Sequence, residues 1–149
     1  FWLMGDLGQS SQWWPAVLSL VVALALAMPF ARELNLLSRG MMQAQALGVA
    51  VDRLRYAIYL LASLATAASV TTAGSIGFVG LVVPHLVRLA TGNDQRLLLP
   101  ASVLAGGSLL VLADTLARTL IAPQQLPVGV LTALIGVPVF LFLLSRQPK

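Results

Sequence analysis

Apolar segments of about membrane length, separated by short polar stretches, constrain this sequence more than any other feature. Apolar residues make up 58% of the chain and charged residues 9%, against roughly 45–50% and about 25% in soluble domains. The few charges lie between the apolar segments rather than along them. This pattern predicts an all-α membrane protein, a polytopic helical bundle in a single domain.

Five apolar segments are predicted membrane spans within residues 1–149. They cover approximately residues 15–31, 56–73, 76–90, 97–117 and 128–144. The third is short, since a span usually needs about 20 residues, and it contains Pro84, which removes a helical hydrogen bond. Gly74, Gly77 and Gly80 predict either a bare stripe for close helix contact or a non-helical stretch, and we assign them, with Pro84, to helix packing.

The long polar stretch, residues 35–55, sets the predicted orientation. Arginine beside a membrane span is retained in the cytoplasm, and this stretch contains three. With it inside, alternation of the spans places eight basic residues in the cytoplasm and only Arg118 outside. The eight are Arg32, Arg39, Arg53, Arg55, Arg88, Arg96, Arg146 and Lys149. The N-terminus of the chain is then external and its C-terminus cytoplasmic.

A short helix is predicted inside the polar stretch, over residues 41–47. Gly40 precedes it, and Gly48 supplies the left-handed residue that often ends a helix. Asp52 stands where the next helix starts, where a negative charge is favourable. The residues alone are equally compatible with a solvated loop, but a cytoplasmic helix here is one that a partner protein can push.

The sequence contains no signature of an enzyme. Its only lysine is Lys149, so it has no phosphate-binding loop of the P-loop type. His85 is its only histidine and cysteine is absent, so a metal cluster or a catalytic triad would need other chains; we interpret His85 as a packing residue. The basic residues flank apolar segments instead of alternating with aromatics, which argues against nucleic acid. We expect no metal and no cofactor on this chain.

Asp114 is the one acidic residue that falls within a predicted span. Acidic residues inside a membrane are candidates for function, but Arg118 lies four residues away and shares its helix face. We therefore expect a partly exposed ion pair near the external surface. An ion-coupled secondary transporter would need Asp114 as its ion site, and a membrane assembly subunit without a pathway is a further alternative.

Two long motifs carry a family resemblance. Residues 74–85 read G-x-x-G-F-x-G-L-x-x-P-H, and residues 126–138 read L-P-x-G-x-x-T-A-x-x-G-x-P. Both resemble the permease subunits of ABC importers for iron–siderophore complexes, haem and vitamin B12, and the resemblance covers nearly the whole chain. Such permeases have ten transmembrane helices in two halves, and this chain, which does not begin with Met, resembles the second half.

The resemblance implies partners and residue roles. ATP and Mg would be used by an ATPase subunit that docks on Met41, Met42, Gln43, Ala44, Gln45, Ala46, Leu47 and Gly48, although the family often has an acidic residue where Met41 or Met42 stands. Arg118 would contact a periplasmic or lipid-anchored substrate-binding protein. A pathway would be lined by Val128, Gly129, Thr132, Gly136 and Pro138. A second permease subunit or fused half would complete the pathway in a bacterial inner membrane, with an iron–siderophore chelate as cargo, or alternatively vitamin B12 or haem.

Overall fold

The helices follow the apolar runs of the sequence, and the breaks between them coincide with glycine, proline or a polar cluster. The computed structural model describes residues 14–119 and 127–145. Within these ranges the backbone forms α-helices and no β-strand, so the predicted all-α fold is confirmed. The helices are α1 (Trp14–Ala27), α2 (Ala31–Leu37), α3 (Met41–Ala46), α4 (Val51–Ala73), α5 (Val79–Thr91), α6 (Gln95–Thr119) and α7 (Val128–Ser145).

Three helical stretches are long and apolar enough to cross a membrane. They are Trp14–Leu37, Val51–Ala73 and Gln95–Thr119, and they correspond to the first, second and fourth predicted spans. Each extends beyond its prediction because flanking polar residues continue the helix. The first joins α1 to α2 through a 3₁₀ turn, Met28–Phe30, because Pro29 lacks the N–H that a continuous α-helix would use.

The third and fifth predicted spans form shorter apolar helices. The 13 residues of α5 extend only about 20 Å at 1.5 Å per residue, and the 18 residues of α7 extend about 27 Å. Non-helical residues 74–78 precede α5 and add length without adding helical turns. That both segments cross the membrane stays a prediction.

The described helices pack as two groups joined at one end. Helix α6 contacts both α5 and α7, and α1 lies along α4, while α2 reaches across to α6 and α3 rests on α2 and α4. Ala113, Ala117 and Val128 form a small buried cluster between α6 and α7. Small side chains at this cluster allow the two helix backbones to approach closely, as is common between membrane helices.

Most apolar side chains point away from the described residues. Between 0 and 11% of each long span is buried inside the chain, so its surroundings must be lipid or other protein. The hydroxyl-rich helix α4 suits such surroundings because its Ser and Thr side chains donate to carbonyls of their own helix. Examples are Ser63 to Tyr59 at 2.7 Å, Thr66 to Ala62 at 2.8 Å and Thr71 to Ala67 at 2.7 Å.

Candidate functional site

The short helix α3 is held by well-formed ends. Gly40 precedes it at φ 125°, and Gly48 follows it at φ 83°. The N–H of Val49 donates to the carbonyl of Ala44 at 3.0 Å, and that of Gly48 to Gln45 at 2.9 Å, which is the Schellman arrangement for ending a helix. The predicted short helix and its left-handed glycine are confirmed, and Asp52 lies in the first turn of α4 as expected.

One side of α3 is buried against this chain and the other is open. Ala44 has 0% exposure, whereas Met42 is 84% and Leu47 66% exposed. The methyl group of Ala44 is enclosed by the chain itself, and its assignment to partner docking stays a prediction. The other assigned side chains, Met41, Met42, Gln43, Gln45, Ala46 and Leu47, remain exposed, as does Gly48.

A polar contact that the sequence did not reveal joins α2 to the start of α6. The Asn35 side chain donates from Nδ2 to Asp94 Oδ1 at 2.7 Å, and its Oδ1 accepts from the N–H of Gln95 at 2.8 Å. Asp94 Oδ1 also accepts from the N–H of Arg96 at 3.0 Å. The Asn35 hydrogen bond, followed by that from Arg96, lowers the pKa of Asp94 below its ordinary value.

At its opposite end, α6 carries the predicted ion pair. Arg118 Nε donates to Asp114 Oδ2 at 2.8 Å, and the two side chains are 40% and 24% exposed. The geometry confirms that the residues share a helix face. A pair this open to its surroundings adds little to stability, typically under about 1 kcal/mol, and Asp114 is a carboxylate paired with a partly exposed arginine.

The residues assigned to a pathway on α7 divide between its faces. Val128, Thr132 and Gly136 are buried within this chain, and the Thr132 hydroxyl donates to the Gly129 carbonyl at 3.1 Å. Their face is covered within this chain, and their assignment to a pathway stays a prediction. Gly129 is half-buried and Pro138 is exposed. The face left open carries Val130, Leu134, Val137 and Leu141.

Among the described residues, Gly77 and Gly80 of the predicted glycine stripe make no close helix contact. Gly74 ends α4 with φ 72°, and a β-carbon placed on Gly77 or Gly80 would meet no described atom within 4 Å. The non-helical alternative is the one observed at Gly74 and Gly77, because residues 74–78 are not helical. Pro84 and His85 lie half-buried in α5, and Pro84 stays within the helix.

A different glycine fits between the helices of the α5–α6 hairpin. A β-carbon on Gly106 would lie 3.8 Å from Val79 Cγ1 and 3.9 Å from Val83 Cγ1, so this buried glycine faces α5. The sequence signal was the pair Gly106–Gly107 in the middle of an otherwise apolar segment.

Comparison with known proteins identifies what this helical arrangement resembles. The profile of the FecCD transport family matches residues 1–146. The chain is 48% identical over 153 residues to the hemin transport system permease protein HmuU of Yersinia pestis, and 50% identical over 150 residues to the cobalamin import system permease protein BtuC of Halobacterium salinarum. A solved structure described as an inward-facing metal-chelate type ABC transporter superposes with a TM-score of 0.87 at 36% identity.

The chain spans less than half the length of these relatives. The two permeases are matched over 98% and 99% of this chain but only 44% and 40% of their own length. The solved structure is matched over 99% of this chain and 48% of that one. The similarity therefore concerns one part of a larger protein and covers essentially all of the present sequence.

Proposed function

Because the chain belongs to the FecCD transport family, we propose that it is a membrane-spanning part of the permease of an ATP-driven importer. Such a permease moves cargo by alternating access and leaves ATP hydrolysis, with its Mg, to a separate ATPase chain. The observation that carries the proposal is α3, a short capped helix seated on the chain by Ala44 with its opposite side open.

The open side of α3 is the proposed docking surface for the ATPase. We call it the coupling face and define it by Met41, Met42, Gln43, Gln45, Ala46 and Leu47. Its most exposed large apolar side chain is Met42, which is flexible and polarisable and therefore adapts to an apolar groove. Since methionines stand where the resembling permeases often have an acid, burial of apolar area would hold the ATPase here rather than an ion pair.

The proposed orientation agrees with how the helices meet. The contact of Asn35 with Asp94 brings the polar stretch and the α5–α6 turn to one end of the bundle, and Arg118 lies at the other end of α6. Arg32, Arg39, Arg53, Arg55, Arg88 and Arg96 then share the cytoplasmic side of a bacterial inner membrane, as retention of arginine favours. The chain termini lie outside the described residues.

The proposed cargo is a metal chelate, in the first instance an iron–siderophore complex. Relatives that are 48, 50 and 48% identical to this chain are named for hemin, cobalamin and Fe(3+) dicitrate, respectively. Sequence identity therefore does not indicate which of these cargos is transported. All three are metal complexes, and haem or vitamin B12 remain the alternatives. The open face of α7 is a further candidate for contact with a pathway or with a second permease half.

Arg118 is the proposed contact for a substrate-binding protein on the external side. An accessible guanidinium at the end of a helix attracts an acidic partner surface and orients it during encounter. Its neighbour Asp114 holds the side chain in place at 2.8 Å. The remaining proposed surroundings of the chain are membrane lipid and the other permease half.

The test is co-purification of the full-length permease with its candidate ATPase, unmodified and as Leu47→Glu, since Leu47 is an exposed apolar residue of the coupling face. We expect stable association that Leu47→Glu abolishes, because a carboxylate would be buried in an apolar groove. Leu47→Met is the matched control and should associate normally. Failure of the unmodified permease to bind any ATPase would rule out the proposal.

An ion-coupled transporter and an assembly subunit are distinguished by one further variant. Asp114→Asn should weaken docking of the binding protein but leave ATP-driven uptake in proteoliposomes. Uptake that follows an ion gradient and disappears in this variant would favour the ion-coupled transporter. Absence of any uptake by the complete, correctly assembled complex would favour the assembly subunit.

A further inference from the structure

Two residues far apart in sequence share the capping of α6. Asp94 caps the helix locally by accepting from Arg96 N–H, and Asn35 supplies an acceptor to Gln95 N–H from 60 residues away. The same Asn35 amide donates to Asp94 at 2.7 Å. Because the first N–H groups of a helix have no partner within it, Asn35 completes the end of α6 while binding α2 to it. We call these three hydrogen bonds the Asn35 clasp.

Asn35 is firmly connected to α3. The N–H groups of Ser38, Arg39 and Gly40 all donate to carbonyls of α2, at 2.9 to 3.1 Å. The hydroxyl of Ser38 donates to the carbonyl of Asn35 itself at 2.8 Å. The turn from Asn35 to Gly40 is therefore held by hydrogen bonds, and because α3 packs on α2, we expect α2 and α3 to move as one unit.

The connections of this unit to the neighbouring long helices contain breaks in the α-helical hydrogen bonding. A 3₁₀ turn that contains Pro29 separates α2 from α1, and non-helical residues around Gly48 separate α3 from α4. Its tilt is then governed by what it packs against, and the clasp fixes it to the end of α6. That helix has 25 residues, or about 38 Å at 1.5 Å per residue, and reaches the Asp114–Arg118 pair.

We propose that Asn35 is a positioning residue that transmits displacement of α3 to α6 through its hydrogen bonds to Asp94 and Gln95. The role rests on the proposed function, since it assumes that an ATPase moves α3. Movement of the coupling face would then tilt α6, and with it α5 and α7, which pack on α6. Without the clasp, the ATPase would still bind but would move α6 less.

The chemistry of the clasp requires an amide at position 35. One planar group must donate to a carboxylate and accept from a backbone N–H, which Asn does with its two ends. Asn35→Asp keeps the acceptor for Gln95 but places a second carboxylate against Asp94. Asp94→Asn retains an acceptor for both Asn35 and Arg96, so this substitution should disturb the clasp less than Asn35→Asp does.

The test exchanges the two residues in the full-length permease, assembled with its ATPase and binding protein in proteoliposomes. Asn35→Asp should bind the ATPase within about twofold of the unmodified permease, as surface changes usually permit, but should lower cargo transported per ATP hydrolysed by about fivefold or more. Asp94→Asn alone should transport nearly normally. In the double variant, the amide introduced at position 94 can donate to the carboxylate introduced at position 35, and the freed N–H of exposed Arg96 can bond to water.

We therefore expect the double variant to recover roughly half or more of the lost transport, because most hydrogen bonds of the clasp are formed again. A merely structural defect of Asn35→Asp would not be repaired by a second substitution at Asp94. Normal transport by Asn35→Asp, or no recovery in the double variant, would overturn the positioning role. Failure of the unmodified permease to bind the ATPase would instead overturn the proposed function, and the positioning role with it.

Discussion

Phe78 and Gly136 meet where α5 begins and α7 passes, and their contact leaves no room for a side chain on the glycine. A β-carbon added to Gly136 would overlap the β-carbon of Phe78 and lie 3.0 Å from its Cγ. Phe78 has φ 65°, a left-handed backbone conformation that non-glycine residues seldom adopt. The non-helical segment before α5 is thus fixed in place by a glycine 58 residues later in the chain.

Gly136→Ala should therefore destabilise the packing of α7. An added methyl group forces a backbone or rotamer shift, which typically costs about 1–3 kcal/mol. The matched control is Gly106→Ala, where the new methyl group meets two valines at ordinary contact distances; it should be neutral or stabilising by up to about 1 kcal/mol. Thermal unfolding of the two full-length variants in detergent measures the difference, and equal stabilities would contradict the prediction.

A second substitution tests which atom of Phe78 causes the conflict. Because the closest approach is to Cβ rather than to the ring, Phe78→Ala should not relieve the defect of Gly136→Ala. Phe78→Gly removes Cβ and also suits the left-handed backbone, so it should restore part of the stability. A double-mutant cycle in thermal unfolding checks this, and equal relief by Ala and Gly would show that the ring is responsible.

Local signals in the sequence predicted local structure well. Gly48 sits directly after a short helix-prone run, and both the helix and its glycine end were found. The ion pair of Asp114 with Arg118 followed from a separation of four residues. Such features depend on residues within one or two helical turns of each other, and these residues are close together in the sequence.

Helix facing could not be read from the sequence in the same way. Every residue of α7 from Val128 to Leu144 is apolar or small apart from Thr132, so hydropathy does not distinguish the face that packs on α5 and α6 from the open one. Gly77 and Gly136 look alike in sequence, yet only Gly136 meets a side chain. The partner of Asn35 lies 59 residues away, and no local pattern identifies it.

Gly48 should be sensitive to substitution for backbone reasons alone. No described atom lies within 4 Å of a β-carbon placed there, but its φ is 83°. Gly48→Ala should loosen the end of α3, since a left-handed conformation costs an ordinary residue about 1–2 kcal/mol. Hydrogen exchange at residues 44–49 should become faster and ATPase binding weaker. Gly48→Asn is the matched variant, because Asn tolerates this conformation, and an effect as large as that of Ala would contradict the explanation.

Asn35→Leu should raise the pKa of Asp94 toward the ordinary carboxyl value. The Asn35 amide is the largest cause of the lowered pKa, and the bond from Arg96 N–H and the Arg96 charge would remain. A lowered folded-state pKa stabilises the contact at pH values above the ordinary range, and this stabilisation is lost as pH falls through the folded pKa. The change is measured from the carboxyl ¹³C chemical shift of Asp94 as a function of pH. The signal of Asp94 is identified by its absence in Asp94→Asn. An unaltered pKa would show that Asn35 does not donate a hydrogen bond to Asp94 in the membrane.

Arg118→Gln should slow the association of the substrate-binding protein with the assembled transporter. Long-range attraction by the guanidinium raises the encounter rate, and the effect weakens as salt screens it. We expect the association rate to decrease by about threefold or more at low ionic strength. The decrease should become smaller as the salt concentration approaches 1 M, where the Debye length is about 3 Å. Arg118→Lys keeps the charge and should retain most of the rate. Stopped-flow association with labelled binding protein measures both variants, and a rate independent of salt and of the charge at residue 118 would place the docking contact elsewhere.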